Sequence, residues 1–221
     1  MYRRLLLAAP LLLIACARAE PPRIVVVTPA PAPVVTARPI APSGFAASFV
    51  TPPRDALGDY ATPNHGIGDG ERLWHLRAAL NVAALACRES DMAPAYNAML
   101  ARLSAPFAAA NTQTEAVYRA RHAAAWRDTH DDAMTRLYNW FSQPFAKPQL
   151  CRAAADALTE AQTIDPALAA DFARRHLPVV EAAVLDGYRR WDAYRVADAA
   201  WASRYEAPMA SLVTTQAVAA R

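Results

Sequence analysis

The chain has 221 residues, enough for one large or two small domains, and its 23 Lys+Arg against 20 Asp+Glu leave a formal charge of only +3. Two of the cations, Arg3 and Arg4, sit at the extreme N-terminus, so no nucleic acid is expected as a partner. Hydrophobic residues reach 54%, but 54 residues are alanine, which leaves too little bulky apolar material for a membrane bundle.

The N-terminus reads as an export signal over residues 1–15. Arg3 and Arg4 provide the positive start, and Leu5 to Ile14 form an apolar run, too short for the roughly twenty residues that span a bilayer. Leu13-Ile14-Ala15-Cys16 resembles the lipobox of bacterial lipoproteins, which implies cleavage before Cys16 and acylation of that residue. A rival cut lies before Glu20, after the small-x-small sequence Ala17-Arg18-Ala19; it would discard Cys16 and release a soluble periplasmic protein. Acylation would make the membrane a permanent partner through the lipid. Ala17 after the cysteine lacks the aspartate that retains lipoproteins in the inner membrane, so the outer membrane, facing the periplasm, is the expected address.

Residues 16–69 are rich in proline, alanine and valine, with ten prolines between Ala17 and Pro63. Proline with little glycine predicts an extended, semi-rigid tether reaching at most about 150 Å. Arg23 to Val27 is a strand-like apolar run that either adds to a partner's sheet edge or packs on nothing specific. Phe45, Phe49 and Tyr60 are expected to lean on the folded domain.

After Gly70 only Gly187 remains of the glycines, and Ala, Leu and Arg recur at helical spacing. The fold class is therefore all-α: an up-and-down bundle of about five to six helices over 70–206, followed by a flexible tail over 207–221. A first helix starts near Asp69 and carries Leu73, Leu76, Leu80 and Cys87 on one face. A second starts at Asp91, a third carries Trp126, Leu137 and Phe141, and a fourth opens at Cys151. Asp165-Pro166 is a cap followed by proline at the first helical position, and a last helix is expected from near Pro178 to Glu206.

In an oxidising compartment Cys87 and Cys151 are expected to pair. The bond would close a loop of about 64 residues and remove unfolded-state entropy worth roughly 4 kcal/mol. It would also bring the end of the first helix to the start of the fourth, which demands an odd number of reversals between Asp91 and Gln143. Pro106, the capping-box pattern Thr112 to Glu115, and a turn near His122 to Trp126 are the places available.

The run Trp74 to Leu85, with Cys87, Tyr96-Asn97, Leu137-Tyr138-Asn139, Cys151 and Asp192-Ala193-Tyr194-Arg195, resembles small exported helical proteins of alphaproteobacteria, sphingomonads especially. The likeness covers about Glu71 to Tyr205; it implies export and the limits of the domain, and it carries no catalytic residue.

Neither catalytic residues nor a cofactor are expected. His122 and His130 fall eight residues apart beside Asp128, Asp131 and Asp132, which is not the i,i+3 or i,i+4 spacing of helical metal sites, so a solvated charged face is expected and no metal. His75 and His176 stand beside arginines, and Gly66 to Gly70 lacks the preceding strand and the lysine of a phosphate loop. Asn81, Asn97 and Asn139 lie within apolar helical stretches, and Tyr188, Trp191 and Trp201 belong to an aromatic stripe on the last helix. These six are the candidate ligand or partner surface, against the plainer reading that they fix register and fill the core. With 17 basic and 16 acidic residues from Glu71 onward there is no electrostatic footprint. The expected function is a non-enzymatic envelope lipoprotein whose bundle binds another envelope protein; the alternative is a periplasmic bundle that binds a small apolar ligand.

Overall fold

The computed structural model describes residues 36–88 and 91–219, with the side chains of 207–219 excepted. The export signal, Cys16, and the valine run at 24–27 lie outside the described residues. The compact unit begins at Ala37. Its helices are α1 (Asp69–Ala86), α2 (Ala93–Arg102), α3 (Ser104–His122), α4 (Trp126–Phe141), α5 (Lys147–Ala161) and α6 (Ala169–Ala219), an all-helical bundle with one disulfide.

Helix α1 begins as its sequence dictates: the Glu71 carboxylate reaches back to accept the Gly68 N–H at 3.2 Å, and Asp69 and Glu71 favour the positive end of the helix. Leu76, Ala79, Leu80 and Ala83 are wholly buried, and α1 packs against α6, α3, α5 and α4. Small side chains on α5, chiefly Ala154 and Ala157, let that helix approach closely, with Leu150 and Leu158 filling the space on either side. Cys87 at the end of α1 is bonded to Cys151 in the first turns of α5, with the Cα atoms 5.7 Å apart.

The reversal that this bond requires is made at Ala123–Ala125, a 3-10 turn between α3 and α4, not at Pro106 or Thr112. Pro106 lies in the first turn of α3; its missing N–H and its ring act on the Arg102 carbonyl, which is where α2 ends. Thr112 sits inside α3, its hydroxyl donating to the Ala108 carbonyl at 3.1 Å, so the capping pattern is spent within a turn. α2 starts two residues later than expected, with Met92 as N-cap and Asp91 at φ +38°.

At Asp165 the expected cap is present, its side chain accepting the Ala167 N–H, but it opens a 3-10 turn over Pro166–Leu168 that leads straight into α6. Pro178 does not start a helix. α6 runs through it, because one lost backbone bond is outweighed by the burial of Leu177 and Val180 on either side. At 51 residues α6 spans about 76 Å, and among its described side chains the last one buried is Trp191. No helix among the described residues is long and apolar enough to cross a membrane.

Residues 37–68, which the sequence groups with the tether, lie on the bundle as a strap without helix or extended sheet. Turns hold it: Gly44 takes φ +86°, and a Cβ there would meet the Phe145 nitrogen at 2.8 Å, so only glycine fits.

Candidate functional site

The strap is fixed to α6 at its start by Arg38, paired with Asp198 and Glu206 at 2.7 Å each, and at its middle by two neighbouring sets of contacts. The first is aromatic: Phe45 stacks on Phe145 with centroids 4.0 Å apart and on Trp191 at 4.9 Å, while Phe49 meets Phe145, Tyr188 and Trp191. Gly187 makes room, since a Cβ there would overlap the Phe145 ring. Below this cluster the buried Trp140 N–H donates to the Tyr188 hydroxyl at 2.8 Å, which answers the one polar atom the Trp ring would otherwise strand.

The second set converges on Asp192. One carboxylate oxygen accepts from Thr51 at 2.9 Å, and the other accepts from Tyr60 at 2.7 Å and Arg54 at 3.0 Å. Arg54 also donates to the Tyr60 hydroxyl and lies over its ring, 3.9 Å from the centroid. Partial burial opposes the charge on Asp192, yet these three donors hold its carboxyl below the usual range. Tyr60 is pushed up to about 12 by burial and by its bond to the carboxylate.

Beside this clasp, Arg54, Asp59, Asn64, His65, Glu181 and Arg189 line an open groove of about 320 Å³ between the strap and α6. Glu181 is its least ordinary member. Burial raises its pKa even though the Thr62 hydroxyl donates to it at 2.8 Å and Asn64 lies beside it. With Arg54 bound to Asp192 and Arg189 to Asp186, the groove offers acceptors and donors of both signs rather than a uniform field.

The sequence-predicted residues divide. Tyr188 and Trp191 are buried and covered by the strap's phenylalanines, so that stretch of the aromatic stripe is occupied by the chain itself. Trp201 is half-buried further along α6, 5.4 Å from Tyr205 and under the Arg38 guanidinium. Asn81 is half-buried next to the Tyr96 hydroxyl, whereas Asn97 and Asn139 face solvent, so the premise of three buried amides fails for two of them. Cys87 and Cys151 are the bonded pair.

Sequence reasoning missed Thr51, Arg54, Asn64 and Glu181, and it quoted Asp192 without a role. A signal existed on α6, where Glu181, Tyr188 and Asp192 follow one another at three- to four-residue multiples on one face. The strap residues left no such trace, since nothing local ties Thr51 or Arg54 to a carboxylate well over a hundred positions away.

No family model, curated protein or solved structure matches this chain. Function therefore rests on geometry. Among the described residues no three His, Cys, Asp or Glu side chains come together as a cation site.

Proposed function

We propose that the chain is a lipid-anchored envelope protein, held by acylated Cys16 at the outer membrane, whose helical domain docks another envelope protein without catalysing a reaction. The observation that carries this reading is the two-sidedness of the strap. Phe45, Phe49 and Tyr60 face α6, while Ile40, Val50 and Leu57 are 92%, 82% and 87% exposed on the same 32-residue segment, 37–68. Holding three large apolar side chains out on a fixed, proline-stiffened ribbon gives a partner a preorganised surface, which lowers the ordering cost of association.

Photo-crosslinking side chains placed at Ile40, Val50 and Leu57 of the membrane-bound chain test it. They should yield the same adduct with one envelope protein, and a crosslinker at exposed Asp132 on α4 should not. Adducts absent from all three strap positions would defeat the reading. Cys16→Ala tests the anchor separately and should move the protein from the membrane to the soluble periplasmic fraction.

A second reading, binding of a small ligand, is favoured by the 320 Å³ groove and its raised Glu181 carboxyl. The polar lining changes the expected ligand from an apolar molecule to a small polar one. A compound that raises the melting temperature of the wild type and not of Glu181→Gln would support it.

A further inference from the structure

A second cavity, of about 300 Å³, opens where the start of the strap meets the turn between α4 and α5. Pro42, Pro144 and Pro148 wall it, and none of them has a backbone N–H to offer. Its charged side chains are Arg152 on α5 and Arg190 on α6, and no carboxylate lines it. Phe145, also in the lining, fixes the second of these. One N–H of the Arg190 guanidinium donates to the Phe145 carbonyl at 3.2 Å, and the strap's Gly44 lies against the same backbone, where a Cβ would meet the Phe145 nitrogen at 2.8 Å. The other donors of that guanidinium have no acceptor among the described residues. Arg152 is exposed near the start of α5. Helix side chains tilt toward the N-terminus, which carries it back over Pro148, one turn earlier, toward the same opening.

The charges here differ from those in the groove beside Glu181. There Arg54 and Arg189 are answered by Asp192 and Asp186, whereas Arg152 and Arg190 have no ion-pair partner among the described residues. α5 begins at the same cavity without an acidic residue in its first turn, so the positive end of the helix adds to that sign. Two guanidiniums on one small volume repel each other, and an anion between them turns the repulsion into attraction. A carboxylate brings one charge and a planar pair of oxygens, enough for one guanidinium fork. A phosphomonoester brings close to two charges at neutral pH and three acceptor oxygens, enough for both forks. Its organic group then rests against the proline rings, and the Ser43 hydroxyl, on the strap side of the lining, supplies a further donor. We propose that Arg152 and Arg190, with the Ser43 hydroxyl, bind a phosphomonoester dianion in this cavity.

Glycerol 3-phosphate is the soluble probe. It is titrated into the full chain carrying Cys16→Ala, in phosphate-free buffer, while ¹⁵N NMR follows the arginine Nε–H groups. The Arg152 and Arg190 signals should shift together and saturate at one equivalent. A lipid source is tested by co-sedimentation with vesicles: binding to phosphatidic acid in excess of that to phosphatidylglycerol, lost in Arg190→Gln, with no shift by the soluble ester, would place the phosphate on a lipid. Arg152→Gln and Arg190→Gln should each weaken binding about tenfold to a hundredfold, and Arg189→Gln, whose guanidinium is held by Asp186, should leave it unchanged. The two arginines are the only titratable groups in the lining and stay charged, whereas the ester takes up a proton near pH 6, so affinity should fall between pH 7 and pH 5. Several outcomes overturn the proposal: no response to either probe; shifts at Arg54 and Arg189 instead, which would put the ester in the Glu181 groove; acetate binding as tightly as the ester; affinity unchanged by acid; or undiminished binding by folded Arg190→Gln. The wild-type titrations decide even where a variant does not fold.

Discussion

Helix α1 and the strap both pack on α6, and they are held by different means. α1 is wedged among the other five helices and bonded through Cys87 to α5, so it cannot leave without the core coming apart. The strap runs into α1 by its own peptide bond but carries no cross-link to the bundle; stacked rings and the donors on Asp192 hold it, at the rim of the solvent. One region should therefore report global unfolding and the other local opening. Beyond the junction where Ile67 and Gly68 bond to Arg72 and Glu71, they meet at the hydrogen bond between Asn64 and His75.

Removing the covalent link should have the largest effect. Cys87→Ser with Cys151→Ser opens a 64-residue loop, and the chain-entropy model gives a loss of about 4 kcal/mol in unfolding free energy. Chemical denaturation should show it, with the strap and α1 still losing structure in one transition. A loss well under 1 kcal/mol would mean that packing alone fixes α1 and that the contrast with the strap is smaller than drawn.

Acid comes next, and it acts where the two regions meet. Burial, helped by neighbouring His130, depresses His75 to about 4, so the unfolded chain binds the proton more readily than the folded one. This contribution to stability is whole above the ordinary histidine value near pH 6.5, falls as pH drops through that value, and by pH 4 amounts to about 3 kcal/mol lost. Urea unfolding at pH 7 and pH 4 measures it, and His75→Gln should flatten that part of the pH profile. An unchanged profile in the variant would assign the acid sensitivity elsewhere, first to the half-buried Asp192, whose carboxyl the strap's donors hold below the usual range.

Asp192→Ala probes the strap alone. It leaves Thr51, Arg54 and Tyr60 without their shared acceptor, at a cost of about 1–3 kcal/mol. Because the opening is local, hydrogen exchange should quicken at the strap's bonded amides, Asp55, Gly58 and Ala61, with α1 amides unaffected. Equal acceleration in both regions would show that strap and bundle unfold as one unit.

Much of this contrast could be read from the sequence on the α1 side and little on the strap side, for a physical reason. Helical periodicity, the cysteine pair and the Asp165 cap are local or combinatorially simple signals, and each corresponds to an element found. Pro178 misled because a proline's local cost is fixed while the packing that offsets it is not visible in a window of residues. The asparagines misled in the opposite direction, since an apolar neighbourhood in sequence does not say which side of a helix points inward: Asn97 follows the buried Tyr96 yet faces water. The strap's anchors depend on contacts such as Thr51 to Asp192, 141 positions apart, which no periodicity encodes.

The smallest effect should be a gain, and it concerns the turn that lets α4 come back against α3. Ala123 ends α3 with φ +46° and ψ −121°, a conformation that a Cβ disfavours and that glycine adopts freely. Its side chain is exposed, so replacing it removes no packing. Ala123→Gly should thus relieve strain in the folded state while adding entropy to the unfolded one, for a net stabilisation of up to about 1 kcal/mol. Thermal unfolding of the two proteins side by side is the measurement, and a lower melting temperature for the glycine variant would show that the entropy cost exceeds the strain held at Ala123. The same reversal brings Tyr118 on α3 edge-on to His130 on α4, with ring centroids 5.1 Å apart, so strain at Ala123 is held in place by contacts between the two arms.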